Sequence, residues 1–122
     1  MTWTYKQSTG ELSHNGVLAG VGYSGAGLTA VTGRNNPAMQ NTPNQGPIPT
    51  GMYQIGLPYT HPQKGPVVMS LTPVGHNALG RSGFLIHGNN AQNNASQGCI
   101  IMGLAIRQQV ANSGDMQLLV QP

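Results

Sequence analysis

Turn-forming residues interrupt this chain so often that long helices have little room. Eighteen glycines and nine prolines punctuate 122 residues. Glycine relaxes the backbone and proline removes a hydrogen-bond donor, so both tend to end regular structure. The stretches between them read as short strands. Residues 2–7 alternate Thr, Trp and Tyr with polar side chains, and Ser8-Thr9-Gly10 is a turn. Glu11–His14 is a second strand, Asn15-Gly16 is a strong hairpin signal, and Val17–Tyr23 reads as a third strand. The opening is therefore a β-meander with a scaffold role.

Residues 24–50 read as loop, with a helical turn at Pro37–Gln40; Asn36-Pro37 and Thr42-Pro43 disfavour helix at their first members. Long loops in small domains are often functional. Met52–Leu57 is a strand, Pro58–Pro66 a loop, Val67–Val74 a strand, and residues 75–82 a turn holding His76 and Arg81. Gly103–Asn112 has helical spacing (Leu104, Ala105, Ile106, Val110) and stops at Ser113-Gly114; Met116–Val120 closes as a strand. The expectation is a single domain over residues 1–122. Its fold class is mainly β, a sandwich or barrel with one short helix near the C-terminus.

The chemistry concentrates in residues 83–102. Phe84-Leu85-Ile86 delivers His87, a loop of Gly, Asn and Gln follows, and Ser96-Gln97-Gly98 turns into Cys99 and a second apolar run. That order sets an imidazole at the end of one strand and a thiol at the start of another. A lone cysteine is commonly a buried core residue. Here a nearby base and a glycine turn favour a nucleophile, because a thiol needs a partner to take its proton or stabilise its anion. Backbone N–H groups around residues 97–99 are candidates for holding a developing oxyanion.

Other chemistries find little support. The only acids are Glu11 and Asp115, too few and too far apart in the chain for the paired carboxylates of glycoside hydrolysis. Orientation of His87 is therefore expected from a backbone carbonyl or a Ser or Asn side chain, with Ser82, Gly88, Asn89 and Asn90 nearby. His14, His61, His76, His87 and Cys99 have no metal-ligand spacing, so no metal or cofactor is expected. His14, His61 and His76 read as exposed or hydrogen-bonded. Gly20-Val21-Gly22-Tyr23-Ser24-Gly25 matches a dinucleotide fingerprint only formally, without a following helix or acidic partner. The net charge of +3 is mild and its five basic residues are scattered, which fits an anionic polymer and argues against nucleic acid. Arg34 is either a solvated loop residue or a clamp on a substrate carboxylate. One cysteine excludes an internal disulfide. No run is apolar enough for membrane insertion, and the N-terminus lacks the basic-then-apolar order of a cleavable signal.

The pair His87-Gly88 and Ser96-Gln97-Gly98-Cys99 resembles the active-site motif of the L,D-transpeptidase (YkuD-like) family, a His-Gly followed by Ser-His-Gly-Cys. Pro47-Ile48-Pro49-Thr50-Gly51-Met52-Tyr53-Gln54-Ile55 is similar to that family's Thr-Pro-Thr-Gly-x-aromatic-x-Ile strand. Tyr23-Ser24-Gly25 and Gly33-Arg34-Asn35-Asn36-Pro37 resemble the subgroup delivered by type VI secretion systems as antibacterial effectors. Three departures stand out: Gln97 replaces a His, Ile101 stands where an Arg is frequent, and the His87-to-Cys99 spacing is short.

The resemblance implies Cys99 as nucleophile and His87 as base, with Ser96, Gln97 and Gly98 shaping the oxyanion turn. It implies substrate contacts from among Tyr23, Ser24, Arg34, Arg81, Gly88 and Asn89. The implied substrates are peptidoglycan tetrapeptide stems, cleaved between meso-diaminopimelate and D-alanine, with D-amino acids as acceptors. The implied route is synthesis in the bacterial cytoplasm, export by a secretion apparatus and action in the periplasm of a target cell, opposed by a cognate immunity protein. A cysteine peptidase or amidase with a protein substrate, and a non-catalytic wall-binding module, are the alternatives.

Overall fold

The computed structural model describes residues 2–122. Within these residues ten strands form one mixed sheet: β1 (Trp3–Lys6), β2 (Glu11–His14), β3 (Val17–Val21), β4 (Tyr23–Ser24), β5 (Gly51–Ile55), β6 (Tyr59–His61), β7 (Gly65–Val74), β8 (Leu85–His87), β9 (Ile100–Ile101) and β10 (Gln117–Gln121). Among the described residues the single α-helix, α1, spans Leu104–Asn112. The fold is mainly β, as expected.

The spatial order is β3-β2-β1-β10-β5-β7-β8-β9-β4, with β6 hung on β7. The two ends of that path, β3 and β4, are separated in the chain only by Gly22. A sheet whose outer strands are consecutive must curl until its edges meet, so it forms an open barrel. Here the structure corrects the reading of Val17–Tyr23 as one strand. The run breaks at Gly22, whose N–H donates to Gly10 O at 2.8 Å, and its last residue pairs with β9 instead of β2.

Inward residues alternate along the strands: Trp3 and Tyr5 on β1, Tyr53 and Ile55 on β5, Met69 and Leu71 on β7, Leu118 and Val120 on β10. Ile86 and Ile100 extend the same core under the C-terminal block. Two short 3-10 turns, Pro37–Met39 and Ala78–Gly80, interrupt the loops. The long 25–50 segment is tied down by buried amides. Gln7 Nε2 donates to Ile48 O (2.8 Å), and Gln40 Oε1 accepts from Gln7 Nε2 and Thr50 N.

Residues 58–66 are more structured than expected, because β6 folds back on β7 as a hairpin. Tyr59 pairs with Val68 and His61 with Gly65, which leaves one extra residue on β7. Val67 sits at that bulge with φ 55°, a left-handed conformation that a β-branched residue adopts only when neighbours enforce it.

Candidate active site

β8 and β9 run parallel, with Ile86 beside Ile100 and His87 beside Ile101. Ile86 and Ile100 face the core. The alternation puts Leu85, His87 and Cys99 on the opposite face. Cys99, immediately before β9, is therefore level with Leu85 and one diagonal step from His87. The parallel arrangement was not read from the sequence, since a His strand followed by a Cys strand is equally compatible with a hairpin. Strands of three and two residues are so short that opposite ends of a parallel pair remain neighbours.

Both side chains line one cleft of about 810 Å³, within the usual size range of small-molecule sites. Its walls include Gly83, Phe84 and Leu85, and its rim carries carboxamides from Asn44, Gln63, Asn89, Asn90, Asn94 and Gln97. His87 is at the floor, 1% exposed, while Cys99 is partly exposed.

His87 Nδ1 lies 2.8 Å from Gly88 O. A carbonyl only accepts, so Nδ1 carries the proton and Nε2 is left as the basic nitrogen. Gly88 supplies the orienting group from its own backbone. Burial pushes the His87 pKa below its ordinary value; the Gly88 hydrogen bond pulls it up, and the charges of Lys64, Arg107 and His61 push it down. Burial raises the Cys99 thiol, against the Leu85 backbone hydrogen bond and the charges of Lys64 and Arg81. Both shifts favour a neutral thiol beside a neutral imidazole. Sγ makes its hydrogen-bond contact with Gly83 O at 3.8 Å, so the resting thiol points along the cleft wall.

Two buried arginines back this pair. Arg107 on α1 donates through Nε to Met102 O (3.0 Å) and through Nη1 to Pro66 O (2.6 Å) and Val67 O (3.2 Å). A Cβ at Gly88 would stand 2.8 Å from Arg107 Nη2, so the residue after His87 has no room for a side chain. Arg81 donates to Gln40 O, Pro47 O, Gly46 O and Gln97 O at 2.6–3.2 Å. A Cβ at Gly98 would stand 2.6 Å from Arg81 Nη2, and Gly98 has φ 135°. Each glycine beside a reactive residue is therefore abutted by a guanidinium.

Several expected roles change. Gly98 N donates to Ser96 Oγ (3.1 Å), so this N–H is already engaged and does not face an oxyanion. Ser96 Oγ also accepts from Gly25 N and donates to Cys99 O at 2.6 Å, which makes Ser96 the lock of the turn. Ser24 Oγ donates to Gly98 O and accepts from Ile48 N. Tyr23 OH donates to Asn89 Oδ1 (2.6 Å) and accepts from Ala95 N. Arg34 stacks on the Tyr23 ring at 3.5 Å and donates to Asn93 O. Tyr23, Ser24 and Arg34 thus stand behind the 88–98 loop and support it, outside the cleft lining. Arg81, Gly88, Asn89, Gln97 and Gly98 do line the cleft, with the Arg81 guanidinium occupied by four carbonyls.

The other histidines have structural partners. His14 Nε2 pairs with Asp115 Oδ2 at 2.9 Å, His61 Nδ1 accepts from Gln63 N and Lys64 N, and His76 Nε2 donates to Met52 O. No group of three metal-ligating side chains occurs among the described residues.

The family model of the Tlde1 domain matches residues 19–120. The chain belongs to the Tlde1-domain family. The matched span contains His87, Cys99, both buried arginines and every strand from β4 onward; β1 and β2 precede it. Membership in the Tlde1 family supports the type VI secretion effector class that the sequence motifs suggested. No curated protein gives a match.

Arg107 and Lys64 were not singled out from the sequence. Arg107 lies three residues before Val110, on the buried stripe of α1, so helical periodicity marks it as a charge facing inward. Lys64 carries no comparable signal, because it reaches the cleft only through the β6–β7 hairpin.

Proposed function

We propose that this Tlde1 domain is a cysteine L,D-carboxypeptidase or L,D-transpeptidase acting on peptidoglycan tetrapeptide stems. The observation that carries the reading is His87 with Nδ1 tied to Gly88 O and Nε2 unprotonated, on the same cleft face as Cys99. Sγ attacks the carbonyl carbon of meso-diaminopimelate while Nε2 takes the thiol proton. The tetrahedral intermediate collapses, the C–N bond breaks, and His87 returns the proton to the departing D-alanine amine. The thioester is then attacked by water, giving the tripeptide, or by the amine of a D-amino acid, giving an exchanged stem. The carboxamide rim suits a ligand made of amides and sugar hydroxyls. That substrate lies in the periplasm of a target cell, where an immunity protein would have to reach the same cleft.

The test is mass spectrometry of purified disaccharide-tetrapeptide incubated with wild type or Cys99→Ala, with and without added D-amino acid. Loss or exchange of the terminal D-alanine by wild type alone is expected. Equal turnover by both proteins, or none by folded wild type, overturns the reading.

A further inference from the structure

The five basic residues differ in what their charged ends touch. Arg81 and Arg107 point their guanidinia at backbone carbonyls, and Arg34 stacks on Tyr23 and donates to Asn93 O. Lys6 is on β1, away from the cleft lining. Lys64 alone among the described residues is an exposed cation that lines the cleft and whose side chain has no hydrogen-bond or ion-pair partner. Neither acid can neutralise it: Glu11 accepts from Thr9 Oγ1, and Asp115 pairs with His14.

The fold holds Lys64 in position. His61 Nδ1 accepts the backbone N–H groups of Gln63 (3.0 Å) and Lys64 (3.1 Å), which closes the hairpin turn. The left-handed Val67 bulge bends β7 where it enters the sheet, and Arg107 clasps the carbonyls of Pro66 and Val67 on either side of that bend. The same guanidinium abuts Gly88. Arg107 therefore fixes the hairpin and the His87-Gly88 corner to one another. The charge of Lys64 is felt at both His87 and Cys99.

We propose that Lys64 is the anion-binding group of the cleft, taking a free carboxylate next to the carbonyl that Cys99 attacks. Ile101, where the related motif frequently has an arginine, is 2% exposed and pairs with His87 and Tyr23, so no cation comes from that position. The inference rests on the proposed stem chemistry for the identity of its ligand. Two carboxylates present the same chemistry there: that of the departing D-alanine and that of an incoming D-amino acid.

The first measurement needs no natural substrate. Cys99 is alkylated at low ionic strength with anionic iodoacetate and with neutral iodoacetamide. The ratio of the two rates cancels any change in thiol ionisation. Lys64→Gln is expected to lower the iodoacetate/iodoacetamide ratio about threefold, the scale of one solvent-screened charge–charge interaction in a wet cleft. Lys64→Glu is expected to lower it further and Lys64→Arg to preserve it. An unchanged ratio across this series overturns the proposal, whatever the activity on stems.

The second measurement identifies the carboxylate. Lys64→Gln is expected to raise KM about tenfold for a stem ending in a free carboxylate, the scale of a charge-assisted hydrogen bond, and to leave the terminal amide unaffected. A raised KM for the acceptor D-amino acid alone assigns Lys64 to the incoming carboxylate. Equal effects on acid and amide stems, with the acceptor unaffected, overturn the assignment. A wild type inactive on stems defeats the proposed function, while the alkylation ratio still decides the anion site.

Discussion

The proton inventory of Cys99 and His87 determines how the pair works. Burial raises one group and lowers the other, so at neutral pH the thiol keeps its proton and the imidazole is unprotonated. His87 then acts as a general base during attack, with no preformed thiolate-imidazolium pair. The sign follows for kinetics. A depressed His87 pKa means that the base form persists below pH 6.5, its ordinary value, and kcat/KM should lose activity only on the acid side of that point. Iodoacetamide alkylation should show a midpoint above the ordinary thiol value, because Cys99 is raised. His87→Ala should leave that midpoint nearly in place yet slow stem turnover by at least about 10²-fold, the usual contribution of a general base. A wild-type alkylation midpoint well below neutrality, abolished in His87→Ala, would show an ion pair instead.

Among the secondary elements, the packing of α1 against the β6–β7 hairpin and the end of β8 is decisive. Arg107 connects all three through Met102 O, Pro66 O, Val67 O and the space above Gly88. Removing its guanidinium leaves buried carbonyls without donors, at roughly 1–3 kcal/mol each. Gly88→Ala should therefore destabilise wild type by about 1–3 kcal/mol, through overpacking against Nη2. In an Arg107→Ala background the same substitution should cost much less, because the obstructing group is gone. Chemical denaturation of the four proteins gives the coupling energy; strict additivity would refute the contact. The sequence carried part of this element-level picture. The length and apolar spacing of α1 were legible, as was the His-Gly corner. The β6 strand was not, since Pro58, Pro62 and Pro66 read as breakers, and its pairing with β7 depends on a bulge that Arg107 supports from a distant helix.

Across the whole molecule, one strand pair joins the N-terminal meander to the rest of the sheet. β1 pairs in parallel with β10, from Trp3 beside Leu118 to Lys6 beside Gln121. Trp3 donates to Ser113 Oγ and stacks on His14 at 4.2 Å, and His14 meets Asp115. This clasp joins the N-terminal meander to the turn between α1 and β10, away from the residues that line the cleft. Asp115→Asn should lower stability by about 1 kcal/mol, the usual worth of such a hydrogen-bonded contact, and Tm by about 4 °C. Below the transition the rate of thiol alkylation should be unaltered, which a thermal melt and an alkylation time course can check together. A change in alkylation rate without a change in Tm would place the clasp in the site.

The sequence by itself determined the local terms: where strands stop, where the helix runs, and that a thiol and an imidazole lie on short apolar runs separated by a polar loop. These are set by residue type and near neighbours, through Gly and Pro punctuation, alternation and turn preference. It also carried the resemblance to type VI secretion effectors, the class that the Tlde1 family match supports. Only the tertiary structure decided that Val17–Tyr23 divides between opposite ends of the sheet and that β8 and β9 run parallel. It also turned Tyr23, Ser24 and Arg34 into supports of the loop, and brought Lys64 over the cleft. Those outcomes depend on which strands meet when a sheet curls closed, and on which carbonyls a buried guanidinium reaches. Both are contacts between residues tens of positions apart, which no local pattern records.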